Sequence, residues 1–431
     1  MALPVKILYV VLDGAADGSA PRRSLDIAST PNLDVLAGRA RCYSLYTIAR
    51  GVAPESDSAV MSLLGYDPHR YYTGRGPLEA LGAGVEFHDG QVAFRANFAT
   101  VDPKTMKIID RRAGRSLTSR EARILAEALD GMMLAGGEAR ARFKATVGHR
   151  AVLVLEHRSS RLSAAVSNSD PAYERKGYIS VARREYEPFI AEVRPLEDTP
   201  EARLTAELAN EFTRRAIEVL DSHPVNEDRR RRGLLPANAV LLRDAGDRLP
   251  PAEPFREKYG FSMASIVEMP VERGVARALS IVDFQVEVEG RQRREILEEE
   301  AARALEILYK HGFDGVYVHL KGPDEPGHDG DLEAKVSAIE DIDKYFFSRI
   351  LDGLDEESTL VIVTSDHATP WHLKAHSGDP VPLMLSHPRI GRGPGAFGET
   401  PCLGHSLETI EGAYNVIPLA LSTIKELTGG R

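Results

Sequence analysis

Cysteine is almost absent: Cys42 and Cys402 are the two in 431 residues, and they form no CxxC pair, which suits a reducing cytoplasm. Positive charge is not in excess either. Lys and Arg number 54 against 64 Asp and Glu, for a net charge of −10, which argues against a nucleic-acid backbone as main partner. A small anionic substrate stays open, because a local cationic or metal site outweighs a distant acidic surface beyond a Debye length of roughly 8 Å. No apolar run approaches the ~20 residues of a membrane span. The N-terminal apolar stretch is broken by Lys6 and Asp13 and continues into Gly14-Ala15-Ala16-Asp17-Gly18, a loop rather than a cleavage region, so we expect no export signal and no membrane partner. The first strand–helix junction lacks GxGxxG, and no P-loop occurs, which sets aside a dinucleotide or ATP site. There is no internal repeat and no low-complexity tract.

What is present is an ordinary globular composition, 43% hydrophobic and 27% charged, with length for two or three units at about 150 residues each. Three short apolar runs stop at carboxylates or histidines. Val5–Leu12 ends at Asp13; Val316–Leu320, which contains His319, leads into Asp324 and His328; Leu360–Ser365 ends at Asp366-His367, with His376 soon after. Near-continuous β-branched runs predict strands buried on both faces of a parallel sheet. Open α/β sheets collect ligands at the carboxyl ends of such strands, so these donors can converge although about 300 residues separate the first from the second. Carboxylate oxygen and imidazole nitrogen hold divalent transition ions without thiolates. Pro326 and Gly327 predict a tight loop between Asp324 and His328. His372 is the rival of His376.

Both ends of the chain read as one α/β domain, residues 1–85 and 236–431, with helices expected from Thr30-Pro31 onward, after Ser56, and over 297–308 and 332–354. Residues 86–235 change texture. Strand-like pieces (92–101, 151–155) alternate with arginine-rich helical ones (119–134, 202–220), and the segment reads as an inserted α+β cap expected to close over a substrate. Arg229–Arg232 read as a solvated helix end or loop. Ser56 carries two readings that can both hold, helix N-cap and nucleophile. A hydroxyl at a helix N-terminus meets anion-stabilising N–H groups, and Asp57 and Ser58 compete for the role. Arg111, Arg112 and Arg115 beside Gly114 have the donors to clamp phosphate or carboxylate bidentately, with a basic surface turn as the alternative. Lys321 is expected to reach the same anion.

Segments along nearly the whole chain resemble the alkaline phosphatase superfamily and, more closely, the archaeal-type 2,3-bisphosphoglycerate-independent phosphoglycerate mutases. They include LDGAADG (12–18), ESDSAVMSLLGYDP (55–68), GRGPLEALGAG (74–84), AFRANFATVD (93–102), IDRRAGR (109–115), KGPDEPGHDGD (321–331) and SDHATP with HSGDPVP (365–370, 376–382). The resemblance implies an alkaline-phosphatase-like core with a mainly parallel sheet flanked by helices. It implies Asp13, Ser56, Asp366 and His367 around one divalent ion and Asp324, His328 and His376 around another, the ions being Mn²⁺, Zn²⁺, Co²⁺ or Mg²⁺. It further implies that Ser56 carries phosphate while 3-phosphoglycerate and 2-phosphoglycerate interconvert in glycolysis and gluconeogenesis. A phosphomonoesterase or phosphonate hydrolase with the same metals, or a metal-stabilised regulatory protein, are the competing classes. Two departures bear on the substrate: Glu55 stands where many members have glycine. Ser167-Asn168-Ser169-Asp170-Pro171-Ala172 replaces a stretch that usually ends in histidine, with Asp170, a candidate substrate residue, retained. Oligomeric state is not encoded in any of these patterns.

Overall fold

A computed structural model describes residues 5–176, 179–183 and 185–429. The chain divides into two compact units, one made of Met1–Tyr72 with Ala252–Arg431 and the other of Thr73–Pro251. The segments 73–85 and 236–251 thus fall with the second unit.

The first unit is built on an eight-stranded sheet. From edge to edge its strands are Val282–Asp283, Met263–Ile266, Gly315–Leu320, Lys6–Leu12, Thr359–Ser365, Val381–Ser386, Ala40–Tyr46 and Ser406–Glu411. Pairing is parallel except that Val381–Ser386 runs antiparallel to both neighbours. The central strand owes its place to composition: Ile7 to Leu12 are all fully buried. Burial is worth about 1.5–3 kcal/mol per large apolar side chain, enough to offset about 1–2 kcal/mol of backbone ordering per residue. Register then sets the site. Val11 lies opposite both His319 and Thr364, and Leu12 opposite Leu320 and Ser365. The three strands therefore end level, and Asp13 and Asp366 are each one residue past their strand's end.

The expected helices form, with local differences. Pro31–Ala37 follows Thr30, and Arg293–Tyr309 and Pro200–Asp221 extend the sequence reading at both ends. Residues 332–353 form one run in which Ile342–Phe347 widen into a π-type turn. The stretch 119–134 is shorter in helix than expected: Ser119–Glu127 is helical, and Met132–Leu134 is an edge strand. Asp324 to Asp329 form a short helix rather than the expected loop. Pro326 sits in its first turn, where the missing N–H costs nothing.

The second unit is α+β. An antiparallel sheet runs Ala239–Gly246, Val92–Val101, Arg150–His157, Ala139–Ala145, Met132–Leu134, with Ile108–Asp110 added to Val92–Val101. Phe94, Ala96 and Phe98 point into a core shared with Phe212 and Leu220 of the long helix Pro200–Asp221. The opposite face, with Ala93, Val152 and Val154, meets Ala80 of the helix Arg75–Gly82. That helix approaches so closely that a Cβ on Gly76 would lie 2.0 Å from the Ala93 carbonyl oxygen. Arg229 departs from the solvated reading: it is fully buried, pairs with Glu121 at 2.8 Å and donates to the Leu235 carbonyl.

Candidate active site

In the first unit, sheet register brings Asp13, His319, Asp366 and His367 together, all at most 5% exposed. His319 Nε2 is 3.6 Å from Asp13 Oδ1 and 3.5 Å from Asp366 Oδ2. His367 Nε2 is 3.6 and 3.2 Å from the same two oxygens. All four atoms are buried and make no hydrogen bond among the described residues. A buried polar atom left unpaired costs about 1–3 kcal/mol, more when charged. Of these residues, Asp13, His319 and Asp366 bring one donor atom each within 4.8 Å of one another, a group able to hold a cation, and His367 also belongs with Asp324 and His376.

A second group opens toward the surface. Asp324 Oδ1 lies 3.5 Å from His328 Nε2 and 3.6 Å from His376 Nε2, and the two imidazole nitrogens are 3.2 Å apart. His328 Nδ1 donates to the Lys374 carbonyl (3.1 Å) and His376 Nδ1 to the Pro54 carbonyl (2.7 Å). Those acceptors take up both Nδ1–H groups and leave the two Nε2 atoms facing each other, an arrangement that needs a shared proton or a shared cation. The helix Asp324–Asp329 supplies the spacing: residues four apart share one face. His367 stands between the groups, its ring stacked on His376 at 3.8 Å, its Nδ1 3.0 Å from Thr369 Oγ1, which donates to Asp324 Oδ1 at 2.7 Å. His372 is exposed and joins neither group.

Electrostatics follow from this crowding. The Asp366 carboxyl is held well below the ordinary range: burial would raise it, but His367 and His319 outweigh burial. Burial opposes protonation of His376, yet Asp324 pushes it up to about 9. The negative potential that holds a proton there also attracts a divalent ion, so ion uptake must displace protons. Lys321 departs from its expected place on an anionic ligand. Its Nζ is 3.0 Å from Asp13 Oδ2 and also ion-pairs with Glu272, a fully buried residue that the sequence reading passed over.

The loops are held from below. Gly14, at φ +59°, donates its N–H to Asp366 Oδ1 (2.9 Å). A Cβ there would lie 2.6 Å from Asp324 Oδ1, so glycine is what lets the first strand end this near the second group. Lys335, fully buried, bonds Asp17 Oδ1, the Thr369 carbonyl and the Ala16 carbonyl at 2.8–3.1 Å, tying together the loops after the strands Lys6–Leu12 and Thr359–Ser365.

Ser56 begins the helix Ser56–Leu63, but Glu55 occupies the N-cap position. The N-cap reading of Ser56 is thereby displaced by one residue, because Glu55 already has the extended backbone a cap requires (φ −91°, ψ 152°). The rivals are engaged: Ser58 Oγ donates to the Glu55 carbonyl (2.9 Å), and Asp57 accepts from the Tyr72 hydroxyl (2.6 Å). The Pro54–His376 hydrogen bond anchors the segment just before Ser56 to the second group.

The second unit is rich in arginine. Arg111 is locked by both Asp170 oxygens (2.9 and 2.6 Å), so Asp170 serves to hold an arginine. Arg112 and Arg115 form no ion pair among the described residues, and with Arg111 and Tyr186 they line a cleft of about 430 Å³. Their loop is bent hard, with Ala113, Gly114 and Arg115 at φ 48°, 68° and 53°; non-glycine residues with positive φ cost energy and cluster at functional sites. Sequence reading missed Arg95 and Arg243, directly opposite each other on paired strands. Their buried Nε atoms have no hydrogen-bond partner among the described residues, although each stands near a carboxylate, Arg95 3.7 Å from Glu79 and Arg243 3.6 Å from Asp244. Burial, Arg75 and Arg243 push Arg95 down to about 9. Burial, Arg150 and Arg112 push His149 down to about 4. Arginine inside an apolar strand, as in Val92–Val101, was the available signal. Like charges directly opposite destabilise a sheet, and an anion would relieve them.

The chain is similar to known proteins along nearly its whole length. The family model described as 2,3-bisphosphoglycerate-independent phosphoglycerate mutase matches residues 37–226. A protein of that name from Aeropyrum pernix is 59% identical over 425 residues, covering 97% of this chain and 100% of that protein. The solved cofactor-independent phosphoglycerate mutase of Thermoplasma acidophilum is 32% identical, covering 97% and 100% of the two chains with a TM-score of 0.64. A Pyrococcus horikoshii protein of known structure is 28% identical, covering 100% and 98%, with a TM-score of 0.77.

Proposed function

Because the chain belongs to the 2,3-bisphosphoglycerate-independent phosphoglycerate mutases, a family of isomerases, we propose that it interconverts 3-phosphoglycerate and 2-phosphoglycerate through a phosphoserine on Ser56. The observation that carries this reading is the convergence of unpaired, buried carboxylate and imidazole atoms at the ends of three strands. We assign Asp13, Asp366, His367 and Ser56 to one divalent ion and Asp324, His328 and His376 to a second. When bound, the ions neutralise phosphate oxygens and ease deprotonation of the serine. Ser56 Oγ attacks phosphorus, a bond from Ser56 to phosphorus forms, and the bond to the C3 oxygen breaks, leaving glycerate with a C3 hydroxyl. Glycerate reorients; its C2 oxygen then attacks the phosphoserine, loses its proton and frees Ser56.

The ion pairs of Lys321 with Asp13 and Glu272 support a role in setting local charge at the metal group. To the segment containing Arg95, Arg111, Arg112, Arg115 and Arg243 we assign the holding of the anionic substrate, with Asp170 positioning Arg111. Keeping glycerate bound while phosphate waits on the serine distinguishes a mutase from a phosphatase. No helix among the described residues is long and apolar enough to cross a membrane, and we place the enzyme in cytoplasmic glycolysis and gluconeogenesis. The test is a coupled assay from 3-phosphoglycerate with Mn²⁺ and without 2,3-bisphosphoglycerate, measuring free phosphate in parallel. Isomerisation abolished reversibly by chelation is expected. Strict dependence on added bisphosphoglycerate would overturn the reading, and phosphate release in place of isomerisation would make the protein a phosphomonoesterase.

A further inference from the structure

The strand Gly315–Leu320 carries a histidine that none of the assignments above uses. We propose that His319 is itself a ligand of the ion held by Asp13, Asp366 and His367, a proposal that rests on the two-ion reading. Three observations lead there. The first is direction. Val11 is the register partner of His319, and Asp13 follows two residues later, one residue past the strand's end; side chains two apart along an extended chain share a face. Sheet geometry thus aims His319 and Asp13 the same way, and Asp366 holds the equivalent place on the other neighbouring strand.

The second is distance. Donors about 2.0–2.2 Å from a shared ion lie about 3–3.6 Å from one another, and His319 would be a fifth donor beside Asp13, Asp366, His367 and Ser56, a number such ions accept. The four carboxylate–imidazole separations are 3.6, 3.5, 3.6 and 3.2 Å. Those to His319 are too long for a direct hydrogen bond, for which N···O is about 2.7–3.2 Å, and they match donors sharing an ion. His319 Nε2 is also one of the atoms without a hydrogen-bond partner.

The third is orientation. His319 Nδ1 lies 2.9 Å from the hydroxyl of Tyr317, itself fully buried. With the Nδ1 proton donated to that oxygen, Nε2 keeps its lone pair for the carboxylate group. A metal-ligating histidine commonly has its other ring nitrogen fixed in this way. His367 is built alike, with Nδ1 on Thr369 and Nε2 inward. Tyr317 is accordingly a positioning residue for His319.

The experiment uses full-length wild-type protein, His319→Ala and Tyr317→Phe, each stripped by chelation and titrated with Co²⁺ against a chromophoric chelator, with the visible cobalt spectrum recorded. Wild type should take up two ions. In His319→Ala one ion should bind about 100-fold or more weakly, beyond the usual effect of an outer partner, and its cobalt bands should change; Tyr317→Phe should weaken the same ion by about 10–100-fold. A folded His319→Ala that binds both ions as wild type does, with the same spectrum, would overturn the proposal while leaving the two-ion reading intact. Wild type that takes up no ion would sink both. If circular dichroism shows His319→Ala unfolded, Tyr317→Phe decides: wild-type affinity for both ions in that variant overturns the assignment.

Discussion

The strand-end group of the first unit gathers carboxylates and imidazoles with lone pairs to spare, while the second unit gathers guanidinium groups, some paired with carboxylates and two, Arg112 and Arg115, without an ion pair among the described residues. The first is compact and mostly buried, with donor atoms 3.2–3.6 Å apart. The second is spread over the strands Val92–Val101, Arg150–His157 and Ala239–Gly246, a helix and a strained loop. The difference teaches that a fold can tolerate unpaired charge of either sign where a ligand of the other sign supplies the missing interaction. A rigid, dense cage suits a point-like ion. A broad set of planar guanidinium groups suits an extended anion with phosphate and carboxylate ends.

The sharpest break between the regions is Ser56→Ala. Turnover should fall by roughly four orders of magnitude or more, on the scale of other nucleophile deletions. Substrate affinity should be kept if the arginines carry it, which rapid-quench rates and equilibrium binding would check together. Near-normal rates, or phosphate trapped on Ser58 by mass spectrometry, would move the nucleophile.

Metal removal should act on stability as well as on rate. A divalent ion at about 100 times its dissociation constant stabilises the state that binds it by about 2.7 kcal/mol. Thermal melts with and without chelator should differ accordingly in wild type, and by much less in Asp366→Asn. Equal ion dependence in both proteins would show that the carboxylates are not ligands.

On the arginine side, Arg95→Met should dissociate function from stability. Relief of the charge opposite Arg243 offsets loss of the 3.7 Å ion pair with Glu79, so the melting temperature should change little, whereas a lost charged hydrogen bond of about 1.5–3 kcal/mol would raise KM roughly 10–150-fold. Arg112→Ala should raise the share of turnover released as free phosphate. Unchanged KM and phosphate share would return both arginines to a structural role.

The smallest effect concerns pH. His149 is pushed down to about 4 in the folded chain by burial, Arg150 and Arg112. Between that value and about 6.5 the unfolded chain binds more protons, so this group makes stability rise with pH across that window. His149→Gln should flatten the slope of unfolding free energy against pH there; an unaltered slope would remove His149 from the cationic group.

Much of the first group was legible because strand ends announce themselves: an apolar run, then Asp13, then a glycine. The contribution of His319 was hidden inside such a run, where a histidine reads as a core residue until its register partner is known. Arg95 and Arg243 were hidden in the same way, each an arginine in an apolar strand whose opposite number lies far along the chain. The loop expected at Asp324–His328 became helical because proline in a first turn sacrifices no hydrogen bond.

The sequence by itself determined the three strands that lead into the site, that their carboxyl ends carry oxygen and nitrogen donors, and that family motifs recur in order along the chain. Local periodicity and side-chain chemistry decide those things within a few residues. Tertiary structure alone decided that the Nδ1 atoms of His328 and His376 are occupied, that Lys321 is neutralised by Asp13 and Glu272, and that two arginines stand opposite each other. Each of these depends on pairing between residues far apart in the chain. Sheet order and register set that pairing, and a shift of one residue would turn every such side chain to the other face.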